Sequence, residues 1–565
     1  MKGSKRFIPL ALVLIMLIGV LTSCSGSQST TPGANASPSA TTSGSSNNTS
    51  NANNSSGTGN SGGSNNQDRT YNPGSTDIPT GDGIKFKDDI TFIIDLPVVS
   101  LNRFNPGQDN PNSQTVYLCV YDRLVDKTAD GGYIPMLATE WHTDDWKVYD
   151  LKLRNDVYFH NGEHFTADDV VYTVERAAQS PGTNACDNIG RNVDKVEAIS
   201  DFEVKITLKD VNVDYIGCLA HPSSAIANRK ACEADPEEGV KIGTGPWVVD
   251  SIVSGDYVSL TRNDKYWGIV PVTKKLTFKF VPEEAARMMM LENGEAELAL
   301  GTNYNTDYPY LESDSKFTAF SILTANPHFV GFNMNDPITG DLNFRKAVAS
   351  LIDKVKWAQM SRNGYAVPYL DDGAFWAFGT EFRNTDIPVI PYDVAKAKEY
   401  LAQSSYKGEE VSITAALPNQ LVFAQLLIEE LRGIGVTAVL NQTDPPGMNA
   451  ATAYGDNHTQ IVCHLFTWDS GPATVRSIYY PGAAQNRASY NNPDVTKLLD
   501  LAPTQTNDTE REQTYKQIQA LTAEDIPYVA VQSPITILGA LKGVGGVEMR
   551  TDNTYRMSYV YMIVQ

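Results

Sequence analysis

From Ser25 to about Gly83 the chain is almost wholly Ser, Asn, Gly, Thr, Ala and Pro. Burying so little apolar surface cannot offset the entropy of ordering roughly 59 residues, so this stretch is expected to be disordered. Whatever folds must follow it. Beyond residue 83, strand-like and helix-like segments alternate. Ile90–Ile94 reads as a buried strand ended by Pro97. Thr166 opens a helix, with Asp169 completing a capping-box-like pair and Val170, Val174 and Ala177 at helical spacing. Asp341 precedes the stripe Phe344, Ala347, Val348, Leu351, Val355, and Asp393 precedes Val394, Ala397, Leu401. The run Leu421–Leu431 stops at Gly433, and Gly435 leads into the strand Val436–Leu440, a helix–Gly–strand step of α/β folds. A helix Glu510–Leu521 is followed by Pro527 and the strand Tyr528–Gln532. The fold class is α/β, in more than one lobe.

Ahead of the polar stretch, Lys2, Lys5 and Arg6 precede the apolar run Phe7–Leu21, which reads as a secretory signal. Leu21-Thr22-Ser23-Cys24 resembles the bacterial lipobox, which makes residues 1–23 a removable signal peptide and Cys24 the lipidated residue. Residues 24–83 then form a flexible tether spanning about 40 Å. This places the body on the extracellular side of the cytoplasmic membrane, lipid-anchored, in a Gram-positive setting. A formal charge of −21, from 45 basic and 66 acidic residues, repels phosphate backbones and argues against a nucleic-acid partner. With one apolar run, at the extreme N-terminus, the chain is not a multispanning membrane protein. Five cysteines remain after Cys24: Cys119, Cys186, Cys218, Cys232 and Cys463. An odd number leaves at least one thiol; a disulfide is expected within Cys186, Cys218 and Cys232, its pairing open.

Catalytic motifs are few. His160-Asn161-Gly162-Glu163-His164 matches the inverted zinc-peptidase pattern, but that chemistry needs both histidines on one face of a continuous helix. Asn-Gly is a turn signal, and the helix begins only after Thr166, so two loop histidines are the expectation. Asp126–Gly131 lacks the periodicity and terminal Glu of a calcium loop. Gly243-Thr244-Gly245-Pro246-Trp247 is no phosphate loop, since Pro removes a donor and no Lys-Ser/Thr follows. No Gly-x-Ser-x-Gly elbow occurs beyond the polar stretch. The chain is expected to be neither an enzyme nor dependent on a cofactor or metal.

Other segments, in order, form a known pattern. They are Tyr121-Asp122-Arg123-Leu124-Val125, Tyr133–Ala138 with Glu140-Trp141, Leu151–Asn155, Val157–Gly162 and Phe165–Val170. Gly243–Trp247, Arg262–Trp267, Phe344–Ala347 with Ile352-Asp353-Lys354, Tyr392-Asp393 through Leu401, and Ile434-Gly435-Val436 continue it. Over residues 85–565 the chain resembles the family 5 extracellular solute-binding proteins, the oligopeptide- and dipeptide-binding subunits of ABC importers. The resemblance implies a two-lobed type II periplasmic-binding fold with an extra subdomain inserted in the first lobe. The first lobe would comprise 84–130, 241–328 and 527–565, the insertion 131–240, and the second lobe 329–526. Solute would bind between closing lobes, and a monomer would deliver it to the ABC permease and ATPase subunits.

The resemblance also points to a pocket. The loop Asp109, Asn110, Pro111, Asn112, Ser113 matches one that lines the site in peptide-binding relatives. The family's Trp-x-x-Asp segment, whose carboxylate pairs with a peptide amine, has its nearest counterpart in Phe466-Thr467-Trp468-Asp469, where Asp directly follows Trp. Trp468 and Asp469, with Phe375 and Trp376, suit an aromatic cleft. Peptides are the first expectation. An oligosaccharide or metal chelate, an anchored extracellular hydrolase, and a protein-binding sensor are the competing readings.

Overall fold

The computed structural model describes residues 74–564 except 107, 129–131, 302–304, 467, 469, 470, 472, 473 and 484. These residues lie in the compact unit Ser64–Gln565. Cys24, the signal segment, most of the tether and Asp469 lie outside the described residues. The polar stretch ends earlier than its composition suggests. Gly74–Ser75 is a short strand antiparallel to Val547–Glu548. Gly74 has φ +85°, and a Cβ there would collide with the Val547 carbonyl, so a composition that reads as disorder supplies the residue this pairing needs.

The fold is α/β and two-lobed, and one mixed sheet runs through it. Its strand order is Trp247–Val253, Tyr257–Arg262, Lys275–Phe280, Asp89–Ile94, Leu298–Leu300, Tyr528–Leu541, His328–Phe332, Ile461–Leu465, Val411–Ala415, Ala438–Gln442. Phe317–Leu323 and Ala366–Pro368 also pair with the Tyr528–Leu541 strand. That strand is the link between lobes. Its first half is antiparallel to His328–Phe332 and its second half to Phe317–Leu323, so two neighbouring chain segments cross together. The strand read from the sequence ends at Gln532. The strand continues because Pro534 sits where it changes partners, a place where a missing donor is tolerated. The Pro534 carbonyl accepts the Thr324 amide and hydroxyl, both at 3.0 Å.

Between the first-lobe strands lies a separate antiparallel sheet, ordered Ala138–His142, Val148–Leu153, Glu203–Leu208, Val193–Ser200. The helix Ala167–Ala178 lays Val170, Val174 and Ala177 in one core with Tyr149, Leu151, Val204 and Ile206 from that sheet. Thr166 N donates to Asp169 Oδ2 at 3.0 Å, as the capping-box reading anticipates.

In the second lobe the expected helix starts hold. Asp341 Oδ1 accepts the amides of Asn343 and Phe344 at 2.8 and 3.1 Å, and Asp393 Oδ1 accepts that of Lys396 at 2.9 Å. Replacing Asp341 by alanine should cost about 1 kcal/mol, read as a lower urea midpoint with unchanged slope. The helix Pro418–Gly433 is followed by Gly435 at φ +90° and the strand Ala438–Gln442, two residues later than the apolar run suggested.

The disulfide expectation is corrected. Cys119, Cys186, Cys218, Cys232 and Cys463 are all thiols. The three that sequence grouped occupy different surroundings. Cys186 opens the π-helical turn Cys186–Gly190 beside Asp187 and Arg191, Cys218 lies in the short helix Tyr215–Leu219, and Cys232 packs near Arg103 and Tyr172.

Candidate functional site

Parallel strands whose carboxyl ends point at a lobe boundary create a crevice there, and loops leaving those ends line it. In the first lobe the strand Asp89–Ile94 leads into the loop before the helix Pro111–Val120. In the second lobe Ile461–Leu465 leads into the Trp468 loop. The second of these loops reaches the crossover. Trp468 N donates to Ala325 O at 3.2 Å, Phe466 N to Pro327 O at 3.1 Å, and Ala325 N to Thr551 O at 2.8 Å. The crossover is thus clasped by a second-lobe loop and by the first lobe's C-terminal turn.

From that turn the first-lobe wall can be followed residue by residue. Asp552 is half-buried, accepts the Thr554 amide and hydroxyl at 2.9 and 2.6 Å, and interacts with Arg550 and His221. His221 Nδ1 accepts the Ser223 amide at 3.1 Å. The Ser223 hydroxyl donates to Asp109 Oδ2 at 2.5 Å, and Asn184 Nδ2 donates to the same oxygen at 3.1 Å. The other carboxylate oxygen, Asp109 Oδ1, is buried without a hydrogen-bond partner, as are Gln108 Oε1 and the Tyr117 hydroxyl. Burial, then the charge of Asp109, holds the Tyr117 hydroxyl well above its ordinary pKa. Arg103 stacks between the Phe104 and Tyr121 rings and acts on the same hydroxyl. An unsatisfied buried acceptor costs about 1–3 kcal/mol, so these atoms form a place where an added donor is favoured.

The rest of the predicted loop builds this geometry. Asn110 Oδ1 caps the helix by accepting the Asn112 and Ser113 amides, each at 3.0 Å, and Pro111 takes the first-turn position. Asn112 Nδ2 donates to Asp95 Oδ1 and Leu96 O, and Ser113 Oγ to Gln108 O. Asp109 is the loop residue with open valence. Ser223, Asn184 and Tyr117 were missed from sequence. The first two reach Asp109 from 114 and 75 residues away, and no local pattern marks them.

The aromatic residues lie deeper. Phe375, Trp376 and Trp468 are at most 3% exposed and share a core with Phe329, Phe466, Tyr515 and Tyr528. The Trp376 and Trp468 rings are 5.2 Å apart, and their indole N–H groups are spent on the Glu381 and Gly471 carbonyls. Asp469, between these rings and the crossover in sequence, is outside the described residues.

The histidine pattern is a pair of loop histidines. His160 Nδ1 accepts the Gly243 amide at 3.2 Å and its Nε2–H donates to Gly245 O at 3.0 Å, which fixes a neutral ring; burial lowers its pKa to about 4. His164 stacks on Tyr158 instead. Gly162 has φ +85°, the turn that Asn-Gly announced. Among the described residues no group of three or more His, Cys, Asp or Glu is placed to hold a metal, and no helix is long and apolar enough to cross a membrane.

Several of the signature segments meet one another. Asp122 accepts from Thr244 Oγ1 at 3.0 Å, Tyr266 OH at 3.0 Å and Trp267 Nε1 at 2.8 Å. Gly243 and Gly245 pack so closely on the Cys119 and Val120 carbonyls that a Cβ would clash. These motifs are a frame for the crevice.

The chain matches the model of the bacterial extracellular solute-binding proteins, family 5, over residues 132–487. It is 25% identical over 464 residues to the nickel-binding periplasmic protein of Escherichia coli K12, covering 77% of this chain and 87% of that one. It is 25% identical over 465 residues to the glutathione-binding protein GsiB of Pectobacterium atrosepticum, covering 78% and 88%. Among solved structures, the ABC transporter substrate-binding protein CtaP of Listeria monocytogenes superposes with a TM-score of 0.74 at 25% identity, over 85% of this chain and all of that one.

Proposed function

The chain belongs to the family 5 bacterial extracellular solute-binding proteins, and from that premise we propose that its solute is a peptide whose amine is received by Asp109. It is a carrier that works with an ABC transporter outside the cytoplasm, and not an enzyme. Relatives named for nickel and for glutathione mark how widely the solute varies within the family. The observation that favours a peptide here is the buried, unpartnered Asp109 Oδ1 beside the Tyr117 hydroxyl. An ammonium group supplies donors to both acceptors and a charge opposite to the carboxylate. Residues 1–23 would be removed and Cys24 lipidated, with the tether holding the body at the membrane. The lobes divide at the crossover, 324–327 and 532–534. A solute that touches both lobes binds the closed form better and shifts the equilibrium toward it.

Thermal unfolding of refolded, solute-stripped protein tests this against peptide pools, oligosaccharides and nickel chelates in parallel. A peptide at about 100 times its dissociation constant should add about 2.7 kcal/mol, a rise of a few degrees. Asp109→Asn should keep the unfolding temperature of the solute-free protein and weaken peptide binding about ten- to a hundredfold. A shift with sugars or chelates alone would overturn the peptide reading. Unchanged affinity in Asp109→Asn would remove Asp109 from the site.

A further inference from the structure

The inserted subdomain and the second lobe also meet away from the crossover, where Val213 N donates to Pro503 O at 3.1 Å. Next to that bond Asp214 is part-buried, and its Oδ2 is buried without a hydrogen-bond partner. Facing it from the second lobe are Arg511, Glu381 and Asp508. The Tyr515 hydroxyl of the helix Asp508–Asp525 and the Tyr133 and Tyr149 hydroxyls of its own lobe also feel its charge. Arg511 is the cation that acts on Asp214. It pairs with Asp508 at 3.0 Å and lies over the Phe382 ring at 5.4 Å. At this seam Asp214 is thus half-buried near a guanidinium that is already paired with Asp508.

We propose that Asp214 is a positioning residue for solute capture: ionised, it opposes closure of the insertion onto the second lobe, and protonated, it permits it. Closure would then take up a proton. When the lobes part, the carboxylate regains water and titrates as an ordinary aspartate, near 4. In the closed form burial raises its pKa, Arg511 lowers it, and Glu381 and Asp508 raise it again, leaving it at about 6. A group whose pKa is raised in the closed state favours that state as pH falls through about 6, with the gain levelling off near 4.

The test needs no solute, so its outcome is independent of the peptide assignment. Spin labels carried on unnatural amino acids at exposed Ser200 and exposed Gln517 report the distance between insertion and second lobe in the full chain. Between about pH 7 and about pH 5 the closed-to-open ratio should rise by up to about tenfold. Asp214→Asn, neutral at both values, should close to the same extent at each. Arg511→Gln, which removes the cation that acts on Asp214, should lower the closed fraction at neutral pH and move the transition upward. A native distance distribution that does not change with pH would overturn the proposal, and so would an Asp214→Asn variant that keeps the native pH profile.

Discussion

Replacing Asp126 by alanine should destabilise the protein by about 3–5 kcal/mol, because buried Arg123 would lose its paired carboxylate, while Arg550 and Arg556 would keep only Asp552 and Glu548. Its Oδ1 accepts from Arg123 Nη2 at 2.6 Å and lies 3.6 Å from Arg550 Nη1, and its Oδ2 accepts from Arg556. The carboxylate is 7% exposed, so solvent screens this network little. The cluster joins the start of the first lobe to the C-terminal turn, and that turn holds Thr551 against the crossover. Burial pushes the Asp126 carboxyl up, but Arg123, Arg556 and Arg550 outweigh it and bring it down to about 2. A folded-state pKa below the unfolded one contributes stability that is full above about 4 and is lost as pH falls toward about 2. Urea unfolding at neutral pH and again near pH 3 should show the native protein losing about 1 kcal/mol through this residue. The alanine variant should lack that part of the acid dependence. A variant with native stability at neutral pH would show that the arginines find other partners.

The second large effect is expected at Trp376. Alanine there should cost about 3–5 kcal/mol, because it empties the centre of a packed aromatic core. The ring lies 5.2 Å from that of Trp468 and 5.9 Å from that of Tyr515. Trp376→Phe should recover most of that stability, since it keeps an aromatic ring and leaves only the Glu381 carbonyl without its donor. Urea midpoints and peptide affinity, measured on both variants, separate packing from contact with solute. Packing predicts that the phenylalanine variant keeps its peptide affinity. A loss of affinity at unchanged stability would instead place the ring against the solute.

Much of the architecture was legible because it rests on short-range chemistry. Asp341 and Asp393 cap helices through amides two and three residues on, and Thr166 with Asp169 closes a box over the same span. Asn161-Gly162 states its own turn, which was enough to keep His160 and His164 off a helix. The ordered signature segments pointed to the family, and the contacts of Asp122 with Thr244, Tyr266 and Trp267 join several of those segments in the fold.

The candidate site was legible only in outline. The loop at Asp109 could be singled out, but its open carboxylate oxygen is defined by Ser223 and Asn184, which only the folded chain brings near. The same holds where Tyr528–Leu541 runs on past Pro534, where three grouped cysteines stay apart as thiols, and where Asp214 meets Arg511 across the seam. Capping, turns and periodicity act within a few residues, so sequence alone determines them. Which oxygen stays unpaired, and which charges share a buried space, depends on segments a hundred or more residues apart, and only the tertiary structure decides that.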